Sequence, residues 1–177
     1  LEHIHFTLDN LLNWGQTQMK GSRKEPVILK AKKEIDELSQ LFTENLRIKN
    51  IDLINSIPEN LCIEMDLNHF KIVFRNLISN AIKFTHEGGK ITLEGETSDD
   101  KTVIRVRDNG VGISEDNVKK IWDYKQHLST FGTNAEKGTG LGLMLCKEMV
   151  EKNEGAIWVE SAKNKGTTFN ITLPPCR

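Results

Sequence analysis

The chain has 177 residues, with 24 Lys plus Arg against 25 Asp plus Glu and a formal charge of −1 with His neutral. That length suits one globular domain with a small appendage, whose core needs no disulfide or metal to hold it. Balanced charge makes nucleic acid a poor candidate partner, and 37% hydrophobic residues without a long apolar run or a leader pattern predict a cytoplasmic segment that makes no membrane contact of its own.

In chain order, residues 1–20 predict a helix, with Ile4, Leu8, Leu11 and Leu12 at helical spacing and Trp14 beside them. Gly21-Ser22-Arg23-Lys24-Glu25-Pro26 breaks it and marks the predicted domain boundary. A lone amphipathic helix needs a partner surface, so a piece of a larger, membrane-anchored or dimeric parent is the expected context for a chain that starts abruptly at Leu1. Residues 27–29 read as extended. Residues 31–49 read as one charged helix with Ile35, Leu38, Leu41, Phe42 and Leu46 inward. An edge strand near 51–57 and a strand over 61–65 follow. The central helix spans 67–84, with Phe70, Val73, Phe74, Leu77, Ile78, Ala81 and Phe84 on one broad face. Strands over 90–96 and 102–107 form a hairpin. Residues 108–137 are loop-rich, with a short helix over 115–122. A helix over 140–153 and strands over 156–160 and 167–173 lead to Pro174-Pro175. The expected architecture is therefore α/β: a two-layer sandwich of a mixed, largely antiparallel sheet with about three helices on one face, preceded by an N-terminal helix. Cys62 and Cys146 read as buried thiols without chemistry and Cys176 as a free one; no CxxC or Cys/His cluster points to zinc.

Three polar features stand out. Asn76, Asn80 and Lys83 lie at i, i+4 and i+7 of the central helix. Amide oxygens suit Mg²⁺ and an ammonium suits phosphate, although the spacing alone favours a solvated polar face. Asp108-Asn109-Gly110-Val111-Gly112-Ile113 places a carboxylate at a strand end before two glycines, as an adenine-reading loop or a plain turn would. Gly138-Thr139-Gly140-Leu141-Gly142-Leu143 opens a helix with exposed N–H groups, an arrangement that receives anions. It is not a dinucleotide fingerprint, which belongs after a first strand, and no Walker GK[ST] follows.

Taken together and in this order, the three resemble the ATP-binding catalytic domain of sensor histidine kinases, within the superfamily that includes gyrase B, Hsp90 and MutL. Residues 76–85 resemble the N box, 108–113 and 138–143 the two glycine boxes, and Gly166-Thr167-Thr168-Phe169 the closing strand, a resemblance covering about residues 26–175. It implies the histidine-kinase ATPase fold over 23–177, with an ATP lid over 114–137 and, over 1–22, the remnant of the second helix of a dimerisation and phosphotransfer domain. It implies ATP and Mg²⁺ as cofactors: Asn80 as the metal ligand, Lys83 and Asn76 on the phosphate side, Asp108 accepting the adenine amino group with Thr167 near the base. Gly110, Gly112 and Ile113 would shape the adenine pocket. Lys137, Gly138, Thr139, Gly140, Leu141, Gly142 and Leu143 would hold the phosphate end. Water-splitting relatives carry a Glu where Asn76 stands, so an amide there favours phosphoryl transfer over hydrolysis. The lid departs from the family's Ile-Phe-x-x-Phe with Ile121-Trp122-Asp123-Tyr124-Lys125; Trp122 takes the place of the first Phe.

The resemblance implies a homodimeric parent that passes the γ-phosphoryl to a histidine upstream of Leu1, then to an aspartate in the receiver domain of a response regulator. His3 and His5 lack the surroundings of an acceptor, and His69, His86 and His127 read as ordinary polar residues. The alternatives are a stand-alone ATPase or Ser/Thr kinase of the same fold, and a degenerate interaction domain that binds no nucleotide.

Overall fold

The computed structural model describes residues 25–98, 100–123, 132–134 and 140–176. The helix predicted over 1–20 lies outside the described residues, as do Tyr124, Lys125, His127, Lys137, Gly138 and Thr139. The elements run β1 (Pro26–Lys30), α1 (Ala31–Gln40), α2 (Thr43–Ile48), β2 (Asp52–Asn55), β3 (Cys62–Asp66), α3 (Leu67–Phe84), β4 (Lys90–Thr97), β5 (Thr102–Asp108), α4 (Glu115–Val118), α5 (Gly142–Lys152), β6 (Ala156–Ser161) and β7 (Thr167–Leu173).

Five strands form the main sheet in the order β2-β4-β5-β7-β6. β2 pairs with β4 in parallel, because β3 and α3 intervene as a crossover, and every other pair in the sheet is antiparallel. The mixed, largely antiparallel sandwich is as expected, with one difference: β3 leaves the sheet and pairs with β1 in a separate two-stranded ribbon. Alternation sets the inner face. Ile91 and Leu93 of β4, Ile104 and Val106 of β5, and Phe169, Ile171 and Leu173 of β7 are buried against the helices.

Helix α3 is the centre of the second layer. Asp66 starts it, its carboxylate accepting from the N–H groups of Asn68 (2.9 Å) and His69 (3.1 Å). Phe70, Val73, Phe74, Leu77 and Ile78 are fully buried, and at about 1.5–3 kcal/mol for each such side chain this packing, more than helix propensity, holds α3 in place. At its first turn, buried His69 meets the Asn153 amide across 2.9 Å. Asn153 also accepts from the Asp66 N–H, which pins the end of α5 against the start of α3. His69 is thus a structural link rather than a solvated side chain.

Three expectations need correcting. The helix predicted over 31–49 is two helices, broken at Leu41 and Phe42, and Leu41 is 67% exposed instead of inward. The helix predicted over 115–122 stops at Val118. Cys176 is not free and Cys62 is not a buried thiol: the two are joined as a disulfide, with Cα atoms 5.6 Å apart. The chain after β7 doubles back on β3, where Pro175 bridges to Ile63 and Pro174 accepts from Glu64 N–H, and this brings the two sulfurs together. Cys146 is a buried thiol as expected.

Candidate nucleotide-binding site

The inward positions of β5 are Thr102, Ile104, Val106 and Asp108, so the stripe that feeds the core ends in a carboxylate. Asp108 pairs across the sheet with Thr167, likewise the first inward residue of β7. One oxygen of Asp108, Oδ1, accepts from the N–H groups of Gly110 (2.8 Å) and Thr167 (3.3 Å). Among the described residues no donor reaches Oδ2. The side chain is nearly buried, and that burial pushes its carboxyl up to about 6, against the two N–H donations that favour the ionised form. A buried carboxylate with one oxygen tied and the other open can accept a hydrogen bond from a ligand amino group. Ser161 supports the same corner: its hydroxyl accepts from Ile113 N–H (2.8 Å), bonds Gly166 O (2.8 Å), and lies 3.0 Å from the Thr167 hydroxyl.

Helix α3 joins this corner to the second glycine segment. Val111 N–H donates to Phe84 O at 3.0 Å, and a side chain on Gly110 would collide with that same carbonyl. Further back along α3, a side chain on Gly142 would stand 2.6 Å from Asn76 Oδ1. The first turn of α5 therefore lies directly on α3 at Asn76. Asn76 is buried and donates to Ile72 O (2.8 Å), while Asn80 and Lys83 are half-buried on the same helix. Lys83 Nζ lies 4.7 Å from the Phe84 ring centroid. Asn76 is thus not on a solvated face; it is the packing point between α3 and α5.

The structure brings Asp108, Gly110, Gly112, Ile113 and Thr167 together at one end of the sheet, and Asn76 with Gly142 beside α3, with Gly140, Leu141 and Leu143 flanking that contact. Trp122 packs edge-on to Phe169, 6.4 Å between ring centroids. Sequence reasoning missed Lys49, which is 4% exposed, and Thr133 beside it; a lysine in a charged segment gives no signal of burial. No three His, Cys, Asp or Glu side chains gather among the described residues. Mg²⁺ that arrives with phosphates needs only one or two protein oxygens, and the Asn80 amide oxygen, with the Lys83 ammonium on the same helix for the phosphates, fits that form of binding.

A sheet end with a tethered buried carboxylate, glycine-permitted backbone contacts and a polar helix between them defines a nucleotide-binding ATPase domain. The family model described as "Histidine kinase-, DNA gyrase B-, and HSP90-like ATPase" matches residues 65–177, and the chain belongs to that family. Within it, the chain carries an ATP-binding catalytic domain of the histidine-kinase type. It is 36% identical over 134 residues to the sensor histidine kinase WalK of Bacillus subtilis, covering 74% of this chain and 22% of that one. The catalytic domain of histidine kinase ThkA superposes with a TM-score of 0.73 at 34% identity, covering 85% of this chain and 96% of that one. ThkA in complex with the response regulator protein TrrA superposes with a TM-score of 0.77 at 26% identity, covering 99% of this chain and 49% of that one. The chain spans less than half the length of the curated relatives it matches, from 10% to 46%. Among the described residues no helix is long and apolar enough to cross a membrane.

Proposed function

We propose that this chain positions Mg²⁺-ATP for phosphoryl transfer to a histidine of a dimerisation and phosphotransfer helix pair, from which the phosphoryl passes to an aspartate of a response regulator. The observation that carries the reading is Asp108: its open oxygen, at the sheet end that α3 borders, suits an adenine amino group. Thr167 holds Asp108 from across the sheet and keeps that oxygen turned to the base. Lys83 neutralises phosphate charge, the main work in phosphoryl transfer, where the protein supplies position and electrostatics. Asn80 is the group that would hold Mg²⁺, which on the phosphates offsets their charge. Lys137 and Gly138 to Leu143 close the phosphate side. Residues 1–22 belong to the phosphotransfer domain, and residues 114–137 are the lid.

Asn76 separates this reading from a stand-alone ATPase. A buried amide bonded to its own helix cannot take a proton from water, so steady hydrolysis lacks its base. ThkA in complex with the response regulator protein TrrA supports a response regulator as the downstream partner. The test uses γ-labelled ATP with Mg²⁺. The chain binds nucleotide but takes up no stable label by itself, and it labels an added helix pair that carries an acceptor histidine. Stable label on this chain alone, or steady phosphate release, would overturn the assignment.

A further inference from the structure

The last four carbonyls of a helix have no partner within it. In α3 the first of them, Ala81 O, keeps a bond of the helical ladder, and the other three find partners from elsewhere in the chain. Ala81 O accepts from Thr85 N–H at 3.0 Å, and Phe84 O from Val111 N–H. Ile82 O and Lys83 O accept from Lys49 Nζ at 2.9 and 3.1 Å, and Thr85 O lies 3.5 Å from the same ammonium. Thr133 completes the cluster. Its N–H donates to Lys83 O at 3.0 Å. Its hydroxyl accepts from Lys49 Nζ at 2.7 Å and lies 3.2 and 3.0 Å from Lys83 O and Thr85 O.

Burying an ammonium costs heavily unless it is fully partnered. Here the partners sit at the negative end of the α3 dipole, where a cation is favoured. Lys49 is itself anchored, its carbonyl accepting from Gly88 N–H at 2.9 Å. The Lys83 carbonyl is the shared acceptor: the Lys49 ammonium, the Thr133 N–H and the Thr133 hydroxyl all converge on it. The backbone from which the Lys83 side chain departs is therefore set by Lys49 and Thr133, which lie 84 residues apart in the sequence.

We propose that Lys49 is a positioning residue of the nucleotide site, acting through Thr133 and the last turn of α3 to fix the point from which Lys83 reaches phosphate. This rests on the nucleotide reading above. A methionine at 49 would fill the same space, and a charge-free side chain would serve a purely packed core as well; only the carbonyl cluster needs the ammonium.

The experiment measures Mg²⁺-ADP affinity by calorimetry, and thermal unfolding, on the 177-residue chain and its variants. Lys49→Met is expected to weaken binding by about tenfold and Thr133→Val by a few-fold, the scale of a lost charged hydrogen bond and a lost neutral one. Thr133→Ser keeps the hydroxyl and is expected to restore affinity. In a Lys83→Ala background Lys49→Met is expected to change affinity by less than about twofold, because the group it positions is gone. Folded Lys49→Met and Thr133→Val with wild-type affinity would overturn the proposal. So would an undiminished loss in the Lys83→Ala background, which would make Lys49 a general prop of the fold. If Lys49→Met does not fold, Thr133→Val and Thr133→Ser decide: loss and rescue support the proposal, and equal affinities sink it. A wild-type chain that binds no nucleotide overturns the nucleotide reading itself, and this inference with it.

Discussion

Replacing Asp108 by Asn should make the nucleotide-free protein more stable and the nucleotide complex weaker. Burial raises the Asp108 carboxyl from 3.8 to about 6, so the folded chain holds a proton there that the unfolded chain has already released. Stability therefore falls as pH rises between those two values, and above about 6 the full cost of the buried charge is present. At about 1.4 kcal/mol per pH unit that cost is roughly 3 kcal/mol as an upper value, and an amide does not incur it. In a domain of this size Asp108→Asn should raise the nucleotide-free Tm at pH 7.5 by about 5 °C. The advantage should shrink below pH 6 and close near pH 4, where wild type is neutral as well. Binding moves the other way. Gly110 and Thr167 N–H groups both require an oxygen at the Oδ1 position, so the amide nitrogen must take the open side and face the adenine amino group with a donor. Losing a charged hydrogen bond there should cost roughly ten- to a hundredfold in Mg²⁺-ADP affinity. Thermal scans across pH and calorimetry at pH 7.5 check both halves. A lower Tm at pH 7.5, or wild-type affinity, would refute the geometry assigned to Asp108.

Gly142→Ala sets two effects against each other. Alanine is the better helix former by up to about 1 kcal/mol, but its methyl would stand 2.6 Å from Asn76 Oδ1, and overpacking of that kind costs roughly 1–3 kcal/mol. A lower urea midpoint is expected, and a higher one would show that α5 and α3 do not meet at Asn76. Thr85 Oγ1 is buried, and among the described residues no partner reaches it. Thr85→Val replaces it with a methyl of similar shape and should leave the midpoint unchanged or raise it by up to about 1 kcal/mol; a clear drop would mean that the hydroxyl is bonded.

How much of this was readable from residues alone depended on whether the signal was local. The bounds of α3 came out at 67–84 because seven apolar residues at helical spacing end at the breaker run Thr85-His86-Glu87-Gly88-Gly89. Asp108 could be placed because it stands at the end of a strand before two glycines, and Thr167 only through the resemblance of residues 166–169 to the family's closing strand. The break at Leu41 was hidden, since Leu41 and Phe42 continue the apolar spacing and no glycine or proline interrupts it. Lys49 was hidden for a different reason: its acceptors lie 33 to 36 residues onward and, at Thr133, 84 onward. The pairing of Cys62 with Cys176, separated by 114 residues, needed the return of the chain onto β3. Asn76 was assigned to the polar face by spacing, yet the approach of Gly142, set by tertiary packing, buries it.

The strand β3 ends at Asp66 and α3 begins at Leu67, with no loop between them. Both ends of the described chain are fastened to that strand, Pro26 opposite Asp66 through the ribbon and Pro175 opposite Ile63. A pull or twist delivered at either end thus enters a single strand and passes, across one peptide bond, into the helix that carries Asn80 and Lys83. The junction is therefore stiff: motion imposed at the margin of the domain reaches α3 without first being absorbed by slack backbone.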